Sequence, residues 1–550
     1  MRIERPKGTV IVPVRGTRYV YKVAEKRYLK DKQYNVNKRV CVGKMEDEIH
    51  MIPNARFYQV FPELAEQNEA PYCSDVLKIG IYIAADAILT NLELGDLLDD
   101  TYGRDSDMIK DVAAYMICSE DSVLQHFPSY EYEHPLFMER AVEDTAVCEM
   151  LKRHTIVEHD AFLSGWNDLH KDVQNIYISY DSTNMNSAAE GIELLEFGHS
   201  KDGGSESPQV NVSLAFDQDS ATPLFYEMYP GSIVDNSQCR IMVEKAVRYG
   251  YTNVGFILDR GYFSADNIKY FDKNHYDFML MAKGNALFIR EAIEMVRSSL
   301  RNSSKYYIAE HEVLGTTIKQ KLFDGDSKQR YIHVFYDDVK GAEQRKSIMC
   351  RFALYDKELE KLVEKKLTRK FNVTKFEKYY RLKFYDDYLI SFRRKEKEIE
   401  KELDHCGYFV IVTSEKMTAE EALTKYRNRD TTEKQFLIEK SFLGGDTWRV
   451  HSDESIESKQ LISFVALIIR NEMFKALEKL RKKEKKRFTI PAALRELDRI
   501  IITRDVNGTF SMRYALTASQ KDILKCVGVS EEDARRKASE ITKKYSESQI

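Results

Sequence analysis

Residues 252–264, TNVGFILDRGYFS, contain a continuous apolar run that ends on Asp259. An apolar run of this kind, without alternating polar positions, is typical of a strand that is buried on both faces of a sheet. We therefore predict a central strand at this position, with a carboxylate where the strand ends.

The sequence around this strand predicts a mixed sheet with helices on its faces. NIYISYDSTNM at 175–185 has the alternation of a strand, with Ile176, Ile178 and Tyr180 on one face, and the predicted strand ends on Asp181. The same patterns predict two strands within 208–232, a helix at 235–250, a helix at 264–275 and a strand at 276–284. The predicted order is β-β-β-α-β-α-β, so the fold class is α/β.

Shifts in composition divide the 550 residues into several regions, as the length alone would suggest. In chain order we predict a β-rich region at 1–60, a helical, DNA-binding region at 61–172, the first part of the sheet domain at 173–284, an inserted subdomain at 285–405, the second part of the sheet domain at 406–475 and a helical region at 476–550. The insertion is too long for a loop and too polar for the core of the sheet. GYFVIVTS, at 407–414, restores a buried strand after it.

The overall composition excludes some classes of protein and leaves others open. Lys and Arg number 84 against 88 Asp and Glu, so a nucleic-acid partner would have to bind a local basic patch. The eight Cys are scattered singly, without a C-x-x-C pair or a paired His spacing, which favours reduced thiols in a cytoplasmic protein. The start lacks a signal-peptide core, and the longest aliphatic run, at 461–469, is too short to span a bilayer.

Three segments near the C-terminal end have structural explanations that compete with functional ones. We predict that KQLISFVALIIRNEMFKAL, at 459–477, forms an apolar-faced helix that packs on the core of the sheet domain. Trp448 fits core packing better than stacking on DNA bases. The basic run at 481–487 fits a solvated face better than a phosphate contact.

Residues 418–441, TAEEALTKYRNRDTTEKQFLIEKS, predict one long helix after the restored strand. Thr418 followed by Glu421 forms the pattern of a capping box. At about 100° per residue, Arg429, Glu433 and Lys440 fall within about 60° of Tyr426 on the same face of the helix. In a helix considered alone, a solvated face with i,i+4 charge pairs is the better explanation of these four residues.

Three acidic residues are candidate metal ligands: Asp181 and Asp259 at predicted strand ends, and Glu433 on the helix. Gathered carboxylates repel one another unless a cation lies between them, and their hard oxygens suit Mg²⁺ or Mn²⁺. Each Asp alone has an ordinary explanation as a turn or cap residue. Asp430 lies about 40° from Tyr426 on the helical wheel, so geometry leaves it open as the third ligand, whereas Glu439 points away.

These residues also resemble a known family. Tyr426, Arg429, Glu433 and Lys440 match the pattern Y-x2-R-x3-E-x6-K of DDE transposases of the bacterial insertion-sequence class. The segments YDSTNMNSAAEGIELLEFGHSKDGGSESPQV, LDRGYFSADNIKYF and RVHSDESIESKQLISFVALIIRNE are similar to other blocks of that family, so the resemblance runs from about 173 to 475.

The resemblance implies a fold, a cofactor and an activity. It implies an RNase-H-like core, interrupted between Asp259 and Glu433, in which these two residues and Asp181 bind two Mg²⁺ ions that Mn²⁺ can replace. Such an enzyme hydrolyses DNA at the inverted-repeat ends of a transposon to a 3′-hydroxyl, and the hydroxyl attacks target DNA, with a homodimer holding the two ends. Arg429 and Lys440 would bind phosphates, and Tyr426 would add a hydroxyl or stacking contact.

Two other functions remain open at this stage. A non-catalytic DNA-binding protein derived from such an enzyme, or a stand-alone metal-dependent nuclease of the same fold, would have the same acidic residues. Inverted repeats and a target duplication around the coding region would favour the transposase.

Overall fold

A computed structural model shows the fold of the chain. It describes residues 3–14, 16–29, 34–54, 56–61, 64, 73–139, 141–170, 176–187, 189, 191–198, 207–282, 286–326, 328–364, 374–386, 388–429, 443, 448–484, 488–505 and 508–547. The chain folds into two compact units: a terminal unit, Met1–Phe162 with Ile438–Ile550, and a sheet unit, Leu163–Leu437.

The strands are distributed over both units. In chain order they are β1 (Ile3–Glu4), β2 (Thr9–Val14), β3 (Thr17–Leu29), β4 (Tyr34–Met45), β5 (His50–Pro53), β6 (Val76–Lys78), β7 (Ile176–Asn186), β8 (Gln209–Asp217), β9 (Pro223–Pro230), β10 (Val254–Leu258), β11 (Asp277–Met281), β12 (Tyr307–Ile308), β13 (Val313–Gln320), β14 (Arg330–Tyr336), β15 (Tyr380–Tyr385), β16 (Tyr388–Arg394), β17 (Tyr408–Thr413), β18 (Ile501–Arg504) and β19 (Phe510–Ser511).

The α-helices of the described residues follow the same chain-order numbering. They are α1 (Phe57–Val60), α2 (Gly80–Asn91), α3 (Leu94–Tyr102), α4 (Ser106–Ser119), α5 (Phe127–Glu133), α6 (Asp144–Arg153), α7 (Ile156–Asp168), α8 (Asp235–Arg248), α9 (Ala265–Asn274), α10 (Leu287–Arg301), α11 (Asp338–Glu364), α12 (Thr374–Glu377), α13 (Glu396–Asp404), α14 (Ala419–Arg427), α15 (Asp453–Glu484), α16 (Ile490–Leu497), α17 (Ala518–Cys526) and α18 (Glu531–Glu547). None of them is long and apolar enough to cross a membrane.

One large mixed sheet organises the sheet unit. Among the described residues its strand order is β12-β13-β14-β17-β11-β10-β7-β8-β9. β10 runs parallel to both β7 and β11, and the other neighbours are antiparallel. All five residues of β10 are buried, as predicted for a central strand. The predicted β-β-β-α-β-α-β order is confirmed by β7 to β11 with α8 and α9.

The predicted insertion at 285–405 contains two kinds of structure. Its strands β12, β13 and β14 extend the large sheet, and β14 pairs with β17 from Tyr331 to Tyr336. Its later part, from α11 to α13, has a hydrophobic core of its own that includes Phe352, Leu359 and Tyr380. The boundaries of the insertion as a domain therefore stay a prediction, while its first strands are shared with the sheet.

The terminal unit combines an N-terminal sheet with a group of helices. The strands β1 to β5 form an antiparallel sheet in the order β1-β5-β4-β3-β2, consistent with the predicted β-rich start. β18 pairs with β6 and with β19, which joins segments from opposite ends of the chain.

The prediction that the helix at 459–477 packs on the sheet domain was wrong. α15, which contains it, belongs to the terminal unit and packs against α4, α6 and α17. Residues 461–471 of α15 are buried around the whole circumference, and a helix that is apolar on all sides is typical of the centre of a helical group. Trp448, in the same unit, is buried with 2% exposure, which agrees with the core-packing interpretation.

Asp111 holds a loop of the terminal unit to α4. Its side chain is fully buried, and its two oxygens accept the N–H groups of Phe137 and Met138 at 2.7 and 2.9 Å. Lys544 of α18 donates to the carbonyls of Leu136 and Met138 in the same loop. Burial raises the pKa of Asp111 from 3.8 to about 8.

Replacing this carboxyl group should destabilise the terminal unit. We expect Asp111→Ala to lower the free energy of unfolding by about 3 kcal/mol, because two buried N–H groups lose their acceptors. Asp107→Ala on the same helix removes a half-exposed carboxylate paired with Lys110, and should cost less than about 1 kcal/mol. Thermal and denaturant unfolding would measure both changes.

The raised pKa of Asp111 also predicts how the free energy of unfolding changes with pH. Because the pKa of Asp111 is higher in the folded chain than in the unfolded chain, the folded state binds more protons between about pH 4 and pH 8. The contribution of this group to the free energy of unfolding should therefore fall as the pH rises through that range. If the free energy of unfolding changes equally with pH in the wild type and in Asp111→Ala, this prediction is wrong.

Candidate active site

Two acidic residues, Asp181 and Asp259, lie side by side where the pairing of two central strands of the large sheet ends. We call this position the acidic edge. The parallel ladder between β7 and β10 pairs Tyr180 with Leu258 as its last register position. The next residue on each strand is an acid, Asp181 on one and Asp259 on the other. In-register parallel strands put these positions at the same level, so the two carboxylates share one edge.

The prediction that the strand ends at Asp181 was wrong. β7 continues to Asn186 because its other edge stays paired with β8 over the whole hairpin. Only the pairing with β10 ends before Asp181. This residue therefore lies on a strand that is held on one side, which leaves its side chain partly exposed, at 19%.

Local contacts fix the backbone on both sides of the acidic edge. A single 3₁₀ turn, Arg260–Tyr262, follows Asp259. The Tyr262 ring packs edge-on against the Tyr180 ring at 5.7 Å, and its hydroxyl lies 3.3 Å from the Ser182 Oγ. Tyr262 is 1% exposed, so it acts as a buried link between the turn after β10 and strand β7.

The helix α14 carries the next two candidate residues to this edge. Thr418 and Glu421 form the predicted capping box at its start. Its apolar positions recur at helical spacing, as Ala419, Ala422, Leu423 and Tyr426, and pack in one cluster with residues of β10, β11, β14 and β17. Burial of this stripe fixes the direction in which the end of the helix points.

The end of α14 differs from the prediction of one helix over 418–441. The helix ends at Arg427, and the N–H of Arg429 donates to the Tyr426 carbonyl at 3.1 Å, which is the tighter i→i−3 pattern of a turn. The helical-wheel position predicted for Arg429 therefore does not apply. Glu433, Lys440 and the alternative ligand Asp430 lie outside the described residues.

Arg429 and Tyr426 contact the two acidic residues. The Arg429 Nη1 lies 3.2 Å from the Asp181 Oδ2, and Arg429 is 6% exposed. The Tyr426 hydroxyl lies 3.5 Å from the Asp259 Oδ1. The guanidinium also lies over the Tyr426 ring at 5.4 Å. The family resemblance implied that Arg429 binds a phosphate, and nothing in the sequence indicated that it pairs with Asp181.

A pocket of about 400 Å³ opens beside this edge. Asp259, Tyr426 and Arg429 line it together with three basic residues, Arg260, Lys340 and Arg427. Sequence analysis had not selected these three. Arg260 follows Asp259 directly, which was an available signal. Lys340 comes from α11 in the predicted insertion, and nothing in its local sequence connects it with the acidic residues.

The structure thus brings together four of the six predicted site residues. Asp181, Asp259, Tyr426 and Arg429 meet at one sheet edge beside a basic pocket. Asp181 and Asp259 supply two hard carboxylates, and the pocket lining includes a further acid, Asp337. The predicted third ligand, Glu433, lies outside the described residues. The arrangement suits a divalent cation and a phosphate-containing substrate.

Comparison with known proteins identifies the family. Residues 177–469, more than half of the chain, match the family model described as the transposase DDE domain. The chain belongs to the transposase DDE domain family. The matched transposase region includes the whole acidic edge, the strands shared with the predicted insertion, and α14.

Other comparisons add little to this assignment. The piggyBac transposase synaptic complex with hairpin DNA, solved by cryo-EM, is similar with a TM-score of 0.33 and 10% sequence identity, over 87% of this chain and 80% of that chain. Among curated proteins, none matches this chain. The assignment to the transposase family therefore rests on the domain match.

A double-mutant cycle should detect the contact at the acidic edge. We expect Arg429→Ala and Asp181→Ala to show a coupling free energy of at least about 1 kcal/mol, because the two charged groups are mostly buried and either change removes the contact between them. Denaturant unfolding of the wild type, both single variants and the double variant would measure it.

The control is an exposed ion pair of the same unit. Lys375 and Glu358 lie 2.7 Å apart with 46% and 35% exposure, so their cycle should give no measurable coupling. If the effects of Arg429→Ala and Asp181→Ala on the free energy of unfolding simply add, as expected for the exposed pair, the contact between these residues is contradicted.

Proposed function

We propose that the chain is a DNA transposase that binds the inverted-repeat ends of its own element, cleaves them to a 3′-hydroxyl and joins that hydroxyl to target DNA. One observation carries the proposal: in a transposase-family chain, Asp181 and Asp259 lie at one sheet edge with Arg429 and Tyr426 against them. This edge has the acidic and basic groups that phosphoryl transfer needs.

The residues at the edge fit divalent metal ions. Asp181 and Asp259 supply hard oxygen ligands from adjacent strands, and Asp259 faces the pocket. We assign Glu433 as the third ligand by the motif spacing. Two Mg²⁺ ions held there would activate the attacking oxygen and stabilise the leaving oxygen, and Mn²⁺ would serve in their place.

Arg429 has two tasks in this proposal. Without DNA, its guanidinium compensates the charge of Asp181 and reduces the repulsion between the two carboxylates. With DNA bound, the guanidinium turns to a phosphate beside the cleaved bond, which it can hold with two parallel hydrogen bonds. Lys440 would bind a further phosphate as a point charge.

Tyr426 orients groups rather than transferring protons. Its ring is packed in the core under the sheet edge, and its hydroxyl reaches Asp259. This contact holds the carboxylate in one orientation for its ligand role. The hydroxyl also lies on the wall of the pocket, where it can contact a sugar or phosphate oxygen.

The basic residues of the pocket define where the DNA backbone would run. Arg260, Lys340 and Arg427 line the same pocket as Asp259. Their positive charges offset the negative charge of a phosphate chain that approaches two carboxylates. Because Lys340 lies on α11, we infer that the predicted insertion contributes to DNA binding.

The remaining parts of the proposal concern fold class, assembly and location. The order β9-β8-β7-β10-β11, with its acidic edge, supports an RNase-H-like core of the insertion-sequence class. A homodimer would hold two transposon ends at once, and the helices within 61–172 would read the end sequence. The single, scattered Cys residues support a reducing, cytoplasmic location.

Carboxamide variants test the assigned ligands. We expect Asp181→Asn, Asp259→Asn and Glu433→Gln each to reduce cleavage and strand transfer at least about a thousandfold, while DNA binding is retained, because they remove a metal ligand and keep the size of the side chain. The assay uses purified protein with DNA from the flanks of its coding region, in Mg²⁺ for cleavage and Ca²⁺ for binding.

The control for these variants is an exposed acid of the same unit that does not line the pocket. Asp266, in the first turn of α9, is exposed, so Asp266→Asn should cleave like the wild type. Cleavage by Asp181→Asn or Asp259→Asn at the wild-type rate would refute the site. Asp430→Asn decides the open question about the third ligand: it should remain active if Glu433 is the ligand.

A further inference from the structure

Three potential metal ligands from distant parts of the sequence meet in the terminal unit. Cys118 lies in the last turn of α4, His134 directly follows α5, and Asp498 directly follows α16. One ligand atom of each residue lies within 4.8 Å of the other two. Cys118 and Asp498 are 380 positions apart, so only the tertiary fold brings them together.

The two distances from the Cys118 sulfur match those in a tetrahedral zinc site. The Cys118 Sγ lies 3.5 Å from the His134 Nε2 and 3.7 Å from the Asp498 Oδ1. Zinc binds sulfur at about 2.3 Å and nitrogen or oxygen at about 2.0 to 2.2 Å, so ligand atoms at tetrahedral angles are about 3.5 Å apart. The three atoms therefore need little movement to bind one ion.

The imidazole of His134 is already oriented as a ligand. Its Nδ1 lies 2.9 Å from the Tyr130 carbonyl, which can only accept, so Nδ1 carries the proton and Nε2 has a lone pair. The ring also stacks on the Tyr130 ring at 4.2 Å, and the residue is 5% exposed. A histidine whose second nitrogen donates to a carbonyl is the usual arrangement in metal sites.

Hydrogen bonding explains this cluster poorly. The His134 Nε2 and the Asp498 carboxylate both present lone pairs to the Cys118 sulfur, and a thiol has one proton to donate. With Asp498 ionised, one of these two contacts joins two acceptors. A cation between the three atoms satisfies all of them, because it accepts electron pairs from a thiolate, an imidazole and a carboxylate together.

The helix ends favour a positive ion at the same point. Cys118 and Asp498 lie at the C-terminal ends of α4 and α16, where the helix dipole is negative. A carboxylate is disfavoured at such an end unless a cation compensates it. The charge of Lys78 acts on Asp498, but Lys78 contacts Glu133 at 2.5 Å, so its charge is shared with another acid.

We propose that Cys118, His134 and Asp498 bind a zinc ion, with a water molecule as the fourth ligand. The charges balance, since one Zn²⁺ offsets one thiolate and one carboxylate while Lys78 offsets Glu133. The ion ties α4 and the segment after α5 to the segment after α16, which leads into β18. It stabilises the terminal unit and is separate from the acidic edge of the sheet unit.

Metal analysis of the full chain tests the site directly. Protein purified without added metal should contain one zinc ion per chain, and Cys118→Ser, His134→Gln and Asp498→Asn should each bind zinc at least about tenfold more weakly. Replacement of zinc by Co²⁺ should give a thiolate-to-cobalt charge-transfer band that is absent in Cys118→Ser. A chelator should lower the unfolding midpoint of the wild type but not that of Cys118→Ser.

Two control variants separate this site from other metal binding. Cys148→Ser removes an exposed thiol of the same unit and should keep both the zinc and the cobalt band. Asp181→Asn removes a proposed Mg²⁺ ligand and should also keep the zinc. If wild-type protein incubated with Co²⁺ shows no thiolate band, or if Cys118→Ser retains zinc as the wild type does, the proposal is wrong.

Discussion

The in-register parallel pairing of β7 with β10 is the constraint on which the candidate active site depends. It ends at Tyr180 and Leu258, so the next residue on each strand is an acid at the same level of the sheet. A shift of one residue would turn one carboxylate to the opposite face, because side chains alternate along a strand. The buried Tyr262, packed against Tyr180, resists such a shift. The geometry of the site is thus set by backbone pairing and an aromatic contact.

Two carboxylates brought together this way repel each other, and the positive charge of a nearby arginine reduces that repulsion. Arg429 is nearly buried against Asp181, and its guanidinium also lies over the Tyr426 ring. A buried guanidinium is itself costly unless it is paired, so the acid and the base stabilise each other. In the proposed function, a metal ion would replace Arg429 at Asp181 and a phosphate would replace Asp181 at Arg429.

The sequence predicted those parts of the site that depend on local pattern. The apolar run before Asp259, the alternation before Asp181 and the capping box at Thr418 each arise from neighbouring residues, and each is present in the structure. Contacts between distant segments had no such signal: the pairing of Arg429 with Asp181 joins residues 248 positions apart. The helix at 459–477 was assigned to the wrong unit because its apolar sequence indicates burial but not which partner buries it.

The direction of β17 explains why the helix after it, α14, supplies residues to the acidic edge and the end of β17 does not. β17 runs antiparallel to β11, so its last residue, Thr413, lies beside Met279, towards the edge opposite the two acids. α14 follows β17 and packs Leu423 and Tyr426 in one cluster with Ile257 of β10, and the Tyr426 hydroxyl lies 3.5 Å from the Asp259 Oδ1. The insertion before β17 therefore serves the site in two ways: its strand β14 holds β17 in the sheet, and its helix α11 supplies Lys340 to the pocket.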